Sequence, residues 1–233
     1  MKYALITGGT RGIGLATAKF FSERGYFVTA LYSSDEGAAA RARSLLPQVN
    51  FIRADVSEES AVKGVIESLP ALDVLINNAG VASFGQVQDS TCEEWERVMR
   101  VNAGGAFFTA KHAVKKLLAR GGGAIVNVSS VWGEVGGSCE SVYSSSKGAL
   151  IAFTKSLAKE LAPSNVTVNC VSPGVIDTEM NARFQGEERT MLEHEIPLGR
   201  FGRAEEVAET ILFLAESRYI TGQSLVIDGG FAL

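Results

Sequence analysis

A chain of 233 residues with 46% hydrophobic and 21% charged residues has the balance of a globular protein, not of a disordered one. A net charge of −4 argues against a nucleic-acid or anionic-membrane partner, and no run is long and apolar enough to span a bilayer. The three widely spaced cysteines (Cys92, Cys139, Cys170) and two histidines (His112, His194) indicate neither a disulfide framework nor a metal site, so a reducing, cytoplasmic setting is expected.

In chain order, short apolar runs alternate with longer helical patterns. Strands are predicted at residues 3–7, 27–32, 49–54, 74–77, 124–129, 166–171 and 224–227, and helices at 12–24, 36–46, 58–68, 91–118, 143–162 and 204–215. Because residues 2–7 already read as a buried strand, no secretory signal is expected ahead of the fold. The strands are apolar almost throughout, which suits burial on both faces. Their alternation with helices predicts an α/β, doubly wound parallel sheet of about seven strands with helices on both sides. No Pro-, Gly- or Ser-rich linker divides the chain, so residues 1–233 read as a single domain. The least regular stretch, 178–203, reads as a substrate lid within it.

Thr7-Gly-Gly-Thr-Arg-Gly-Ile-Gly14 joins the first strand to the first helix. Gly8, Gly12 and Gly14, with Thr10, Arg11 and Ile13 between them, would let backbone approach a pyrophosphate at the positive end of the helix. Dinucleotide-binding sheets that take NAD commonly end the second strand in an acid that holds the ribose 2′-hydroxyl. Here that position falls on Tyr32, followed by Ser33 and Ser34. An acid would repel a 2′-phosphate, so its absence, with Arg11 nearby, predicts NADP(H) over NAD(H). Asp35 and Glu36 lie just beyond and read as first-turn residues of the next helix. Asp55, followed by Val56, ends the third strand and either accepts from an adenine amino group or caps the helix that follows. Asn77-Asn78-Ala79-Gly80 ends the fourth strand, at the edge where open sheets bind ligands.

Tyr143 and Lys147 are four residues apart and share a helix face. An ammonium beside a phenol favours the phenolate; a fall of about three units, roughly 4 kcal/mol, would bring Tyr143 into range for proton transfer near neutral pH. Ser129-Ser130 ends the fifth strand at the same edge of the sheet. Asn102, with Gly104 and Gly105, stands in mid-helix, where such residues are poor formers; a kink carrying a functional amide and a close helix contact are the two readings.

The glycine spacing of residues 8–14, the Asn-Asn-Ala-Gly segment and the set Asn102, Ser130, Tyr143 and Lys147 together resemble the classical short-chain dehydrogenase/reductase family over essentially the whole chain. The resemblance implies a Rossmann-type fold and a hydride transfer at a carbonyl. Ser130 would polarise the carbonyl oxygen and Tyr143 would give it a proton. Lys147 would lower the Tyr143 pKa and hold the nicotinamide ribose, and Asn102 would fix a water leading to solvent. Asp55 and Val56 are implied at the adenine, Asn78, Ala79 and Gly80 along the cofactor, and Pro173, Gly174, Ile176 and Thr178 at the nicotinamide amide. A homotetramer or homodimer through helices 91–118 and 143–162 is implied as well.

Residues 196–203 and 219–223 resemble 3-oxoacyl-acyl-carrier-protein reductases, implying a ketone carried on acyl-carrier protein. Gly121 and Ser164 stand where that group often has basic docking residues, and Asp228 where it commonly has Asn. Residues 131–143 resemble reductases of the aminopentanone modification on elongation factor P. On that reading Glu134 or Glu140 pairs with a substrate ammonium and Trp132 packs an alkyl linker; otherwise they are solvated loop carboxylates and a packing anchor. A cofactor-sensing protein without turnover is the non-enzymatic alternative.

Overall fold

The computed structural model describes all 233 residues. In chain order the elements are β1 (Lys2–Thr7), α1 (Gly12–Glu23), β2 (Tyr26–Tyr32), α2 (Glu36–Leu45), β3 (Asn50–Arg53), α3 (Glu59–Ser68), β4 (Val74–Asn77) and α4 (Cys92–Met99). There follow α5 (Gly105–Ala119), β5 (Gly123–Val128), α6 (Val131–Val135), α7 (Ser141–Leu161), β6 (Val166–Pro173), α8 (Gly186–Glu195), α9 (Ala204–Glu216) and β7 (Ser224–Ile227). The seven strands form one parallel sheet in the order β3-β2-β1-β4-β5-β6-β7, a Rossmann-type doubly wound arrangement.

Alternate residues of each strand feed opposite cores. On one face Ala4, Ile6, Val74, Ile76 and Val126 pack under Ala18 and Phe21 of α1 and Ile211 and Leu214 of α9. On the other, Leu5, Leu75 and Ile125 pack under Val62 and Ile66 of α3, Leu117 of α5 and Leu157 of α7. This two-sided burial is why the strands read as continuous apolar runs.

Three departures from the predicted elements matter for the site. The helix expected over 91–118 is interrupted by a π-helical turn at Arg100–Gly104, which contains Asn102. The stretch between Ser130 and Tyr143 contains the short helix α6, and the lid stretch contains α8. Nothing in the α8 sequence GEERTMLEHE is buried, so no apolar stripe marks it. Arg189 holds it instead, through Asp177 at 3.0 Å and Glu193 at 2.9 Å.

A buried polar chain joins the two central strands to the helices above. Thr109 of α5 donates to Asn77 Oδ1 at 2.6 Å, Asn77 Nδ2 to Asn127 Oδ1 at 2.9 Å, and Asn127 Nδ2 to Thr154 of α7 at 2.8 Å. Thr109→Val keeps the shape but strands the Asn77 carbonyl. We expect a loss of about 1–3 kcal/mol in urea unfolding, whereas Thr210→Val, at a half-buried helix position, should be close to neutral.

Candidate active site

The strand order reverses between β1 and β4, and open parallel sheets hold ligands at the carboxyl ends of such a pair. The two ends are stitched together. Thr7 Oγ1 accepts from Asn78 N at 3.0 Å and Ala79 N at 2.9 Å, and Asn78 Nδ2 donates to the carbonyls of Thr7 and Gly8. A Cβ at Gly14 would lie 2.0 Å from the Gly8 carbonyl oxygen, so no other residue fits there. Gly8 and Gly12 have positive φ, 65° and 50°. The α1 N-terminus has no side-chain cap and no acid in its first turn, in contrast to α2, which Asp35 caps through Ala38 N at 2.8 Å. Free N–H groups at the positive end of a helix, reached across bare glycine, fit a pyrophosphate. Thr10 is buried beneath this turn, and Ile13 packs against the core.

At the end of β2, Tyr32 is buried. Its hydroxyl accepts from Arg43 at 2.9 Å and donates to Glu36 at 3.0 Å. Ser33 and Ser34 are exposed beside it. Two guanidiniums border them: Arg53, which donates to the Ser33 carbonyl at 3.0 Å, and Arg11, 3.3 Å from Asp35. Arg53, at the end of β3, carried no signal in the sequence; only the pairing of Tyr32 with Arg53 across β2 and β3 brings it here. Asp55 accepts from the backbone and hydroxyl of Ser57, forming the turn ahead of α3. Val56 is buried against Gly105, whose Cβ would come within 2.8 Å of it.

Ser130 ends the β5 segment and caps α6; its oxygen accepts from Trp132 N at 3.2 Å. That contact uses a lone pair and leaves the hydroxyl hydrogen to donate. Tyr143 and Lys147, on α7, are both buried. The Lys147 ammonium lies 5.6 Å from the centre of the Tyr143 ring and donates to the Val128 carbonyl at 2.8 Å. Ser129 accepts no share of that charge but donates to the Lys147 carbonyl at 2.8 Å, fixing the helix turn. Gly133 is needed here, since its Cβ would lie 2.8 Å from Lys147 backbone. Asn102 grips both sides of the crevice. It accepts from Val81 N at 2.8 Å and donates to the Val81 carbonyl at 3.0 Å and to Ser146 of α7 at 2.9 Å. Both readings of this stretch are met in part: the helix is broken by a π-turn at Asn102, a feature that recurs at functional sites, and Gly105 makes a close contact with Val56.

The phenol does not shift as its spacing from Lys147 predicts. Burial is the largest influence on Tyr143 and pushes it up to about 12, with Ser130 pulling down and Glu140 pushing further up. Burial likewise pulls Lys147 down to about 8. Low dielectric disfavours both charges, and the lesser influences come from Ser130 and Glu140 on the phenol and from Cys170 on the ammonium.

The β6 end carries Pro173 and Gly174. Gly174 sits so close to Asp228 that a Cβ would be 2.6 Å away, and Ile176 bridges to Gly202. Thr178 approaches Gly12, bringing this loop to the pyrophosphate turn. Glu134, one of the two carboxylates expected to meet a substrate cation, is exposed and accepts from the hydroxyls of Ser172 at 2.7 Å and of Ser224. Trp132 packs edge-on against Phe231, 5.5 Å between centroids, as an anchor for the chain end. Glu140 stands at the start of α7, one turn before Tyr143, and Arg183 of the loop before α8 meets it at 3.7 Å, so its charge is countered. An open cleft of about 780 Å³, lined by Lys2, Tyr26, Arg120 and Arg218 among others, includes none of these residues.

A protein-family profile described as Enoyl-(Acyl carrier protein) reductase matches residues 8–232. Carbonyl reductase family member 4 of Danio rerio is 42% identical over 100% of this chain and 98% of its own length. The 3-oxoacyl-[acyl-carrier-protein] reductase FabG of Aquifex aeolicus is 40% identical over 98% of this chain and 96% of its own. A 3-oxoacyl-[acyl-carrier-protein] reductase of Homo sapiens is 39% identical over 100% and 98%.

The depressed Lys147 has a consequence for stability. Between about 8 and its ordinary 10.5, the unfolded chain binds a proton that the folded chain does not, so this group makes stability rise with pH across that window. Below about 8 the folded protein carries the full cost of the buried charge, roughly 3 kcal/mol. Lys147→Met removes the cost and the bond to Val128. Urea unfolding from pH 6 to 10.5 should find the variant's stability, relative to the parent, highest below pH 8 and falling as pH rises. A difference independent of pH would contradict the assignment.

Proposed function

This chain belongs to the short-chain dehydrogenase/reductase family, and we propose that it is an NADPH-dependent ketone reductase most like the 3-oxoacyl-acyl-carrier-protein reductases. The observation that carries the reading is the buried Tyr143 phenol, set beside the Ser130 hydroxyl and over the Lys147 ammonium. A phenol held up to about 12 is protonated at neutral pH, which is the form a reduction requires.

The glycine turn and the α1 N-terminus would hold the dinucleotide's pyrophosphate, with Asn78, Ala79 and Gly80 along it and Pro173, Gly174, Ile176 and Thr178 around the nicotinamide. The bound nicotinamide supplies the hydride. Ser130 donates a hydrogen bond to the substrate oxygen as negative charge grows there. Tyr143 then transfers its proton to that oxygen. Lys147, still mostly protonated at pH 7 with a pKa near 8, stabilises the resulting phenolate and passes a replacement proton to it. Asn102 holds α7 at the distance this needs.

The preference for NADPH rests on the buried Tyr32 in place of an acid and on Arg11 and Arg53 flanking Ser33 and Ser34, where Arg11 meets Asp35 and Glu179 and Arg53 meets Glu36 until a 2′-phosphate competes for them. Asp55, its turn already made through one oxygen, keeps the other for an adenine amino group. Acyl-carrier protein is the favoured carrier. The aminopentanone of elongation factor P suits the site less well, because Glu134 and Glu140 both have partners. Exposed Trp95 and Phe107 beside the π-turn, and Leu225 and Val226 on the edge strand β7, favour a homotetramer or homodimer.

Oxidation of NADPH and NADH at 340 nm with a panel of 3-oxoacyl thioesters tests the reading. Turnover is expected with NADPH and should fall about 10²- to 10⁴-fold in Tyr143→Phe, with cofactor binding retained. Retained NADPH binding without turnover in the parent protein would favour a cofactor sensor. Replacing Arg11 and Arg53 together by Ala should lower the NADPH-over-NADH ratio of kcat/KM about ten-fold or more. An unchanged ratio would remove them from the 2′-phosphate site.

A further inference from the structure

Three segments that follow the carboxyl ends of different strands meet at Glu140, one helical turn ahead of Tyr143. The β4–α4 segment brings Phe84, the turn before α7 brings Glu140, and the loop before α8 brings Arg183 and Phe184. They are tied in place. Gly85 N donates to the Cys139 carbonyl at 2.7 Å, Ser83 to Glu94 at 2.8 Å, and Asn181 Nδ2 to the Ile176 carbonyl at 2.8 Å.

Arg183 is held in an unusual way. Its guanidinium lies 4.7 Å from the centre of the Phe84 ring and 4.7 Å from that of Phe184, and it touches one carboxylate, Glu140, at 3.7 Å, beyond hydrogen-bond reach. Its N–H groups donate no hydrogen bond within the chain. Arg24, Arg120, Arg189 and Arg200 spend theirs on carboxylates, whereas the guanidiniums of Arg41, Arg97, Arg100, Arg203 and Arg218 also donate none; what distinguishes Arg183 is the pair of rings against its guanidinium. Arg183 is also 48% exposed, while Glu140 beneath it is only 14% exposed. A half-exposed planar cation seated against two rings, with its donor fork unspent, is free to take an oxyanion.

We propose that Arg183 is a substrate-recognition residue, binding an oxyanion (a carboxylate or a phosphate) carried on the arm of the ketone substrate. Glu140 is its resting counter-charge. Glu140 lies one turn before Tyr143, so a carbonyl at the phenol and an anion at Arg183 belong to one molecule with a short linker between them. This rests on the ketone-reductase reading and gives it a charge preference opposite to that of an ammonium-bearing substrate.

The test uses matched pairs of ketones with NADPH. One pair is 4-oxopentanoate and its methyl ester, for a carboxylate. The other is hydroxyacetone phosphate and hydroxyacetone, for a phosphate. Arg183→Gln should lower kcat/KM for the anionic member about ten- to a hundred-fold and leave the neutral member within two-fold. Arg183→Lys should recover part of the loss, and Glu140→Gln should raise kcat/KM for the anionic member. The pair that responds identifies the oxyanion. Equal losses on both members of both pairs would mean that Arg183 only latches the lid, and would overturn the proposal. If no ketone is reduced, the reductase reading fails separately. Calorimetric titration of 4-oxopentanoate and hydroxyacetone phosphate into the NADPH-bound protein then decides: binding lost in Arg183→Gln supports the subsite, and binding unaltered by it, or absent from the parent, overturns it.

Discussion

Much of the active-site architecture follows from burying one ammonium. Lys147 is almost wholly enclosed, and its direct partner within the chain is the Val128 carbonyl. An enclosed cation is costly unless dipoles face it, and the residues around it are small enough to let the helix bring the ammonium to that carbonyl. Gly80 leaves room that a Cβ would fill at 3.3 Å from both the ammonium and Asn102 Oδ1. Gly133 lets α6 pass against the Lys147 backbone, and Ser129 fixes the carbonyl of the same residue. The π-turn places the Asn102 amide where it clasps Val81 and Ser146. Fold stability is sacrificed locally to keep a charge beneath a phenol.

The sheet and the phosphate turn were legible in the sequence because their determinants are local. Continuous apolar strands, helix-strand alternation and three glycines at fixed spacing each report on a few adjacent residues, and the parallel order followed from them. Asn102 was legible as an anomaly: an Asn with two glycines in mid-helix requires a reason, and the π-turn is that reason. Helix α8 was not legible, because its stability comes from Arg189 and its carboxylate partners and from no apolar stripe.

Long-range effects were less accessible. The sign of the Tyr143 shift depends on how completely β5, α6 and α7 enclose it, and spacing along one helix carries no information about enclosure. Arg53 reaches the Ser33 carbonyl only through β2–β3 register. Glu134 and Glu140 both lie between two catalytic residues, and sequence position alone made them equivalent. The structure separates them: Glu134 ties α6 to β6 and β7, while Glu140 belongs to the mouth.

On the proposed reading, proton chemistry and substrate contact are built from different material. Ser130, Tyr143, Lys147 and Asn102 are held by strand ends and buried hydrogen bonds, so their geometry is stiff. Phe84, Arg183 and Phe184 stand on connections and are held by ring faces and one long ion pair, which can rearrange at little cost. Such a division lets loop sequence change what is reduced without disturbing how. Glu140 is the exception. It is half-buried, it pairs with Arg183, and its charge also raises Tyr143. A change in charge at the mouth is therefore felt at the proton donor: an anion that draws Arg183 away leaves Glu140 less countered, and either its charge pushes the phenol further up or Glu140 takes a proton and relieves it. Recognition and acid strength are coupled through this one carboxylate, and the coupling is electrostatic, requiring no movement of α7.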